Sequence, residues 1–153
     1  MALAKTKQDA TAQRLAALTV PECAGWASAA RKDALARLRQ TGLPGRRDEY
    51  WKYTDPASLS QAEAIPAAPF HSDESIVFGQ VDRLKIVFRD GVFDAAASDD
   101  LAMEGLNVER LSDVVQRDIH WAQDYFGELE KRGQTPVERP LAALNTAIAS
   151  DGV

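Results

Sequence analysis

Apolar residues recur at helical spacing through the first third of the chain. Residues 5–18 carry Ala12, Leu15, Ala16 and Leu18, a weak stripe rich in alanine. Thr19 and Val20 interrupt it, and Pro21 suits the first turn of a second helix, where its missing N–H has no intrahelical role. The stripe of that helix runs through Cys23, Ala27, Ala30, Ala34 and Leu38, flanked by Trp26 and Leu35. Arg31, Lys32, Arg37 and Arg39 lie mostly off it. Gly42 supplies the left-handed residue that ends the helix, and Pro44 prevents its resumption.

Asp55 and Pro56 read as the N-cap and first residue of a short turn. From residue 61 the composition shifts to Ala, Pro and Ser, which predicts an extended linker over 61–74. The period then changes from helical to alternating. "SIVF" (75–78), "RLKIVF" (83–88) and "VFDA" (92–95) read as strands, the last two joined by Asp90-Gly91, a pair that tolerates the positive φ of a two-residue hairpin turn. Val108, Leu111, Val115, Ala122, Phe126 and Leu129 return to helical spacing, with Gly133 as the stop. Pro136 and Pro140 bracket a break. "PLAALNTAIAS" (140–150) follows as a short helix apolar on most sides, and Asp151-Gly152 as a turn signal before Val153.

These elements predict an α+β chain: a helical N-terminal region (1–60), the linker (61–74) and an α+β subdomain (75–153). An apolar helix followed by a single strand-like residue reads as the front of a longer protein. On that reading the helix at 140–150 would expose apolar area and be covered by self-association of the fragment, or its last residues would be disordered.

The 153 residues hold 45% hydrophobic and 27% charged side chains, ordinary proportions for a globular domain. A net charge of −5 without a long Lys/Arg run argues against nucleic acid as a partner. No apolar run is long enough to span a bilayer, no secretory h-region opens the chain, and a cytoplasmic location is the expectation. The one cysteine, Cys23, cannot form an internal disulfide or supply the thiolates of an iron–sulfur cluster. Its place on an apolar stripe reads as that of a small buried hydrophobe. His71 and His120 sit in different segments without a second ligand at i+3 or i+4, so no metal site is expected. Asp99-Asp100 and Glu128/Glu130 read as loop and solvated-face acids. With no phosphate loop, nucleophile elbow or dinucleotide fingerprint, no enzyme and no cofactor are expected.

The densest chemistry is "GLPGRRDEYWKYTDP" (42–56), with three aromatic residues in four positions: Tyr50, Trp51 and Tyr53. The rings either dock onto the preceding helix, with Arg46 and Arg47 paired to Asp48, Glu49 or other acids, or are held out as a hot spot for a protein partner. Docking is the favoured expectation. This segment resembles the "GLP-x-RR-x-E-x-W-[KR]-Y-T" stretch of the SufD family, scaffold subunits of SUF iron–sulfur cluster assembly. "LKIVFRDGVFDAAASDDL" is similar to the family's "L-V-F-V-N-G-x-F" hairpin, and "PLAALNTAIASDGV" to its "F-x-x-L-N-x-A-x-x-x-D-G" segment. Arg46, Arg47, Glu49, Trp51, Tyr53, Thr54, Leu144, Asn145 and Gly152 carry the likeness, with an expected structural role. The resemblance implies a non-catalytic scaffold whose helical region leads into a right-handed parallel β-helix, with SufB and the ATPase SufC as partners of the whole protein. No catalytic or cluster-ligand position carries over. The rival reading is a free-standing α+β adaptor that binds a partner through residues 50–53.

Overall fold

The computed structural model describes residues 5–63, 77–89, 91–103, 105–132 and 137–153. His71, Asp90, Gly133, Pro136, nearly all of the 61–74 linker and the first half of "SIVF" lie outside the described residues. The chain forms two units: residues 1–64 with 114–149, and residues 65–113 with 150–153.

The first unit is helical. α1 (Lys5–Ala16) and α2 (Gly25–Thr41) occupy the two predicted positions, although α2 begins later than Pro21 and Cys23 suggest. The Ala24 N–H donates to the Val115 carbonyl (2.6 Å), so the approach to α2 is tied into tertiary structure rather than continued as helix. Cys23 is therefore half-buried ahead of the helix, not on its stripe. It lines an open cleft of about 540 Å³ with Val20, Ser28, Lys32 and Leu35.

The buried face of α2 is Ala27, Arg31, Ala34 and Leu38. Arg31, expected off the stripe, is 1% exposed. α5 (Pro140–Ile148) lies against α2, with Pro140 in its first turn as expected, and buries Ala143, Leu144, Thr146 and Ala147. Alanines on both helices let the backbones approach closely. Leu38, Leu43, Ala143 and Leu144 form the core, lined by Leu15, Leu18, Leu141 and Ile148. α2 of the same chain thus covers part of the apolar surface that motivated self-association: Ala143, Leu144 and Ala147 are buried, while Leu141, Ala142 and Ile148 are half-buried.

The predicted continuous helix over 108–129 is broken into α3 (Leu111–Val114), a 3₁₀ turn (Trp121–Asp124) and α4 (Glu128–Arg132). His120 is extended (φ −154°, ψ 145°) and its Nδ1 accepts the Ala122 N–H at 3.1 Å, capping the 3₁₀ turn instead of riding on a helix. Gly127 then takes φ +77°. Glu130, read as a solvated acid, has a side chain 8% exposed and accepts from Arg37 at 2.6 Å, joining α4 to α2.

The second unit carries two short antiparallel hairpins. β1 (Phe88–Arg89) pairs β2 (Val92–Phe93), with Arg89 opposite Val92 and Gly91 at φ +75°, as the Asp-Gly signal requires. The expected strand over 83–88 joins the ladder only at its end. Side-chain acceptors take the earlier N–H groups: Asp99 Oδ2 bonds Lys85 N–H (2.6 Å) and Ser98 Oγ bonds Val87 N–H (2.8 Å). Val77 and Phe78 stand in a turn, not a strand, with Phe78 at φ 61°. β3 (Ala102–Met103) and β4 (Leu106–Asn107) form a second hairpin absent from the sequence reading, closed by Gly105 at φ +78°. Asp151 does not turn the chain. Its carboxylate accepts from Arg110, through Nε at 3.2 Å and through Nη2, and from the Ser112 N–H at 3.3 Å. The Leu111 N–H donates to the Gly152 carbonyl (2.9 Å), and Arg110 stacks over the Phe93 ring at 4.8 Å.

Candidate functional site: a clamped arginine and aromatic segment

Residues 42–56 leave α2 through a conformation only glycine adopts readily. Gly42 has φ 70° and ψ 164°, positive in φ as expected but extended in ψ, while its N–H still donates to the Leu38 carbonyl at 2.8 Å. This turn drives Leu43 into the core and buries Pro44.

α1 holds the segment through a polar face rather than the predicted Ala12/Ala16 stripe; both alanines are exposed. Lys7, Thr11 and Arg14 fall at i, i+4 and i+7, one side of the helix. Thr11 Oγ1 accepts the Leu43 N–H (2.9 Å) and donates to the Lys7 carbonyl (2.7 Å). Lys7 Nζ pairs with Asp48 Oδ2 (2.8 Å), which also accepts the Gly45 N–H (2.9 Å). Arg14 reaches the Gln61 carbonyl at 3.4 Å, and Ser60 Oγ donates to the Pro44 carbonyl at 2.8 Å. Partial burial pushes the Asp48 carboxyl up, but the bonds from Lys7 and Gly45 outweigh it and hold the group below its ordinary value. Asp55 accepts the Ala57 N–H at 3.0 Å, but the 3₁₀ turn Ala57–Leu59 starts one residue later than expected, with the buried Pro56 at its N-cap instead of in its first position.

Between these anchors the side chains face outward. Tyr50 is 69% and Tyr53 91% exposed, and Trp51 alone of the three rings is half-buried. The docking expectation is corrected for both tyrosines. The 3₁₀ turn Glu49–Trp51 runs on into the bond from Thr54 N–H to the Trp51 carbonyl, so Tyr50 and Tyr53, three apart, share a side. Arg46 and Arg47 are exposed, and the acids beside them are engaged elsewhere: Asp48 with Lys7, Glu49 with Lys52 at 3.1 Å. The Lys52 ammonium sits 4.9 Å from the Tyr53 ring centroid. Thr54 is exposed. Of the other signature residues, Leu144 is in the core, Asn145 is exposed and its carbonyl accepts the Ala149 N–H that ends α5, and Gly152 receives Leu111 in the second unit.

Among the described residues no three His, Cys, Asp or Glu side chains group as metal ligands, and no helix is long and apolar enough to cross a membrane. Asp99 and Asp100, read as loop acids, bond the N–H groups of Lys85 and Ala102. The site is a surface of charge and aromatic area held rigid from behind, a geometry suited to recognition.

Sequence comparison gives that surface a family. Residues 10–153 match the SufBD protein N-terminal region, and the chain belongs to that family. It is also similar to the iron–sulfur cluster assembly protein SufD of Escherichia coli (strain K12), at 30% identity over 127 residues, 72% of this chain. The aligned part spans 29% of that relative's length. No solved structure matches.

Proposed function

We propose that this chain is the N-terminal portion of a SufD-like subunit of the SUF system, with a scaffolding and non-catalytic role in iron–sulfur cluster assembly. The observation that carries this reading is the family match over residues 10–153, which takes in the whole clamped segment. The likeness to SufD of Escherichia coli supports the choice of SufD within the family. The partners of the whole protein are SufB and SufC, the cluster is cargo that it helps others to build, and the compartment is the cytoplasm. A β-helix following this region fits the same reading. The residues present suit a scaffold: polar clamps and ion pairs fix backbone, and the carboxylates of Asp48, Asp99, Asp151 and Glu130 are occupied by backbone or cationic donors.

A chimaera tests it. Residues 10–153 replace the matching region of Escherichia coli SufD, which is co-expressed with its SufB and SufC. The expected outcome is an assembly that still purifies as a complex and carries iron and acid-labile sulfide. A folded chimaera that neither joins the complex nor supports cluster formation overturns the proposal.

A further inference from the structure

The surface at residues 46–53 is built at a cost the family match does not explain. Fixing an irregular segment takes conformational entropy, and here α1 contributes Lys7 and Thr11 to the task. The result holds two tyrosine rings in solvent, outside the core of the unit, with the Lys52 ammonium 4.9 Å from the Tyr53 ring centroid. Among the described residues neither Arg46 nor Arg47 has an ion-pair or hydrogen-bond partner, while Asp48, the nearest acid, is neutralised by Lys7. A protein of net charge −5 thus exposes Arg46 and Arg47 a few residues before two exposed rings, with Lys52, paired to Glu49, beside Tyr53. Arginine and tyrosine are the residues that dominate binding energy at protein interfaces. A segment already rigid loses little freedom on binding, so more of its contact energy appears as affinity.

We infer that residues 46–53 are a docking surface for an acidic protein segment, with Arg46 and Arg47 pairing its carboxylates and Tyr50 and Tyr53 covering its apolar side chains. Charge complementarity selects this occupant. The exposed guanidiniums call for carboxylates, which they bind in bidentate fashion, and the rings call for apolar neighbours beside them. A second copy of the chain and a single-stranded nucleic acid are the alternatives that the test separates.

The intact chain is titrated with a short fluorescent peptide alternating Glu and Leu, with its Lys/Leu counterpart, and with oligo(U) RNA. The Glu/Leu peptide is expected to bind, more weakly as salt rises, and the Lys/Leu peptide not to bind. Tyr50→Ala with Tyr53→Ala should weaken binding about tenfold. Arg46→Glu with Arg47→Glu should reverse the preference toward the Lys/Leu peptide. All four side chains are exposed, so unchanged circular dichroism and melting confirm that the variants fold. No Glu/Leu binding by the parent chain, equal binding by the charge-reversed variant, tighter binding of RNA, or a dimer in light scattering that the tyrosine variant dissolves would each overturn the inference. The peptide titration does not depend on cluster assembly, so its failure is distinct from failure of the chimaera.

Discussion

The Arg31 guanidinium donates to the Ala147 carbonyl at 3.0 Å through Nη1 and to the Ala149 carbonyl at 2.7 Å through Nη2. Ala147 lies in the last turn of α5 and Ala149 is its C-cap residue, and neither carbonyl has a helical N–H beyond it to satisfy it. A buried guanidinium is costly without compensation. Here the negative end of the helix dipole and the Phe126 ring, 5.8 Å away, supply it. One side chain of α2 thereby caps α5.

Arg31→Ala should therefore destabilise the first unit by about 3 kcal/mol or more, since charge-assisted hydrogen bonds contribute about 1.5–3 kcal/mol each and both carbonyls lose their donor. Arg31→Lys keeps the charge but not the fork that spans two acceptors, and should recover about half. Urea unfolding followed by circular dichroism gives both values. Equal stability of Arg31→Ala and the parent would show that the cap is dispensable.

The signature rings should separate in a mutational series. Trp51 is half-buried, so Trp51→Ala is expected to cost about 1–2 kcal/mol, below the 3–5 typical of a ring deleted from a core. Tyr53→Ala should fall within about 0.5 kcal/mol of the parent, as exposed substitutions do. Thermal melts of the two variants check the order, and a Tyr53 variant as unstable as Trp51→Ala would contradict a solvent-exposed Tyr53 ring.

Two glycines with similar φ should respond differently to alanine. At Gly91 (φ +75°) nothing lies within 4 Å of an added Cβ, so only the backbone penalty of about 1–2 kcal/mol applies. At Gly127 (φ +77°) the Cβ would meet Thr146 Cγ2 at 3.0 Å, and Thr146 is a buried residue of α5. Gly127→Ala should be the more damaging in equilibrium unfolding, and removal of the contact by a further Thr146→Ser should return part of the loss.

Acid should destabilise both units. Burial raises the Asp48 and Asp151 carboxyls, but hydrogen bonds from Lys7 and Gly45, and from Arg110, Gly152 and Ser112, leave each below its ordinary value. A group whose pKa is lower folded than unfolded contributes stability above its unfolded value, about 3.9 for Asp, and loses it as pH falls through the folded value. Melting temperature should hold from neutrality to about pH 5 and then decline. Asp48→Asn and Asp151→Asn should each start lower at neutral pH and decline less steeply. A parallel decline would remove these carboxylates from the account.

Much of the fold was legible because its signals are local. Pro140 opens α5 since a first-turn residue needs no N–H, and Gly91 turns a hairpin since it tolerates positive φ. The second hairpin was hidden because its strands are two residues each, too short for alternation to register, and only Gly105 marked it. The helix over 108–129 was over-read because apolar spacing continues through His120 and Gly127, whose backbones break it. At the candidate site the sequence singled out residues 42–56 but assigned the rings to the interior, since aromatic residues usually bury.

The sequence by itself determined the places of α1, α2, α5 and the first hairpin, because steric limits on φ and hydrogen-bond loss at proline act within a few residues. It also determined the family, through ordered motifs that survive in linear form. Only the tertiary structure decided which face of each helix is buried. Arg31 lies inside because α5 ends beside it with unpaired carbonyls, and α1 turns Lys7, Thr11 and Arg14 inward because residues 43–61 offer them partners. Tyr50 and Tyr53 remain in water for the complementary reason: Leu43, Pro44 and Pro56 already occupy the interior positions of that segment, so its burial is complete without them.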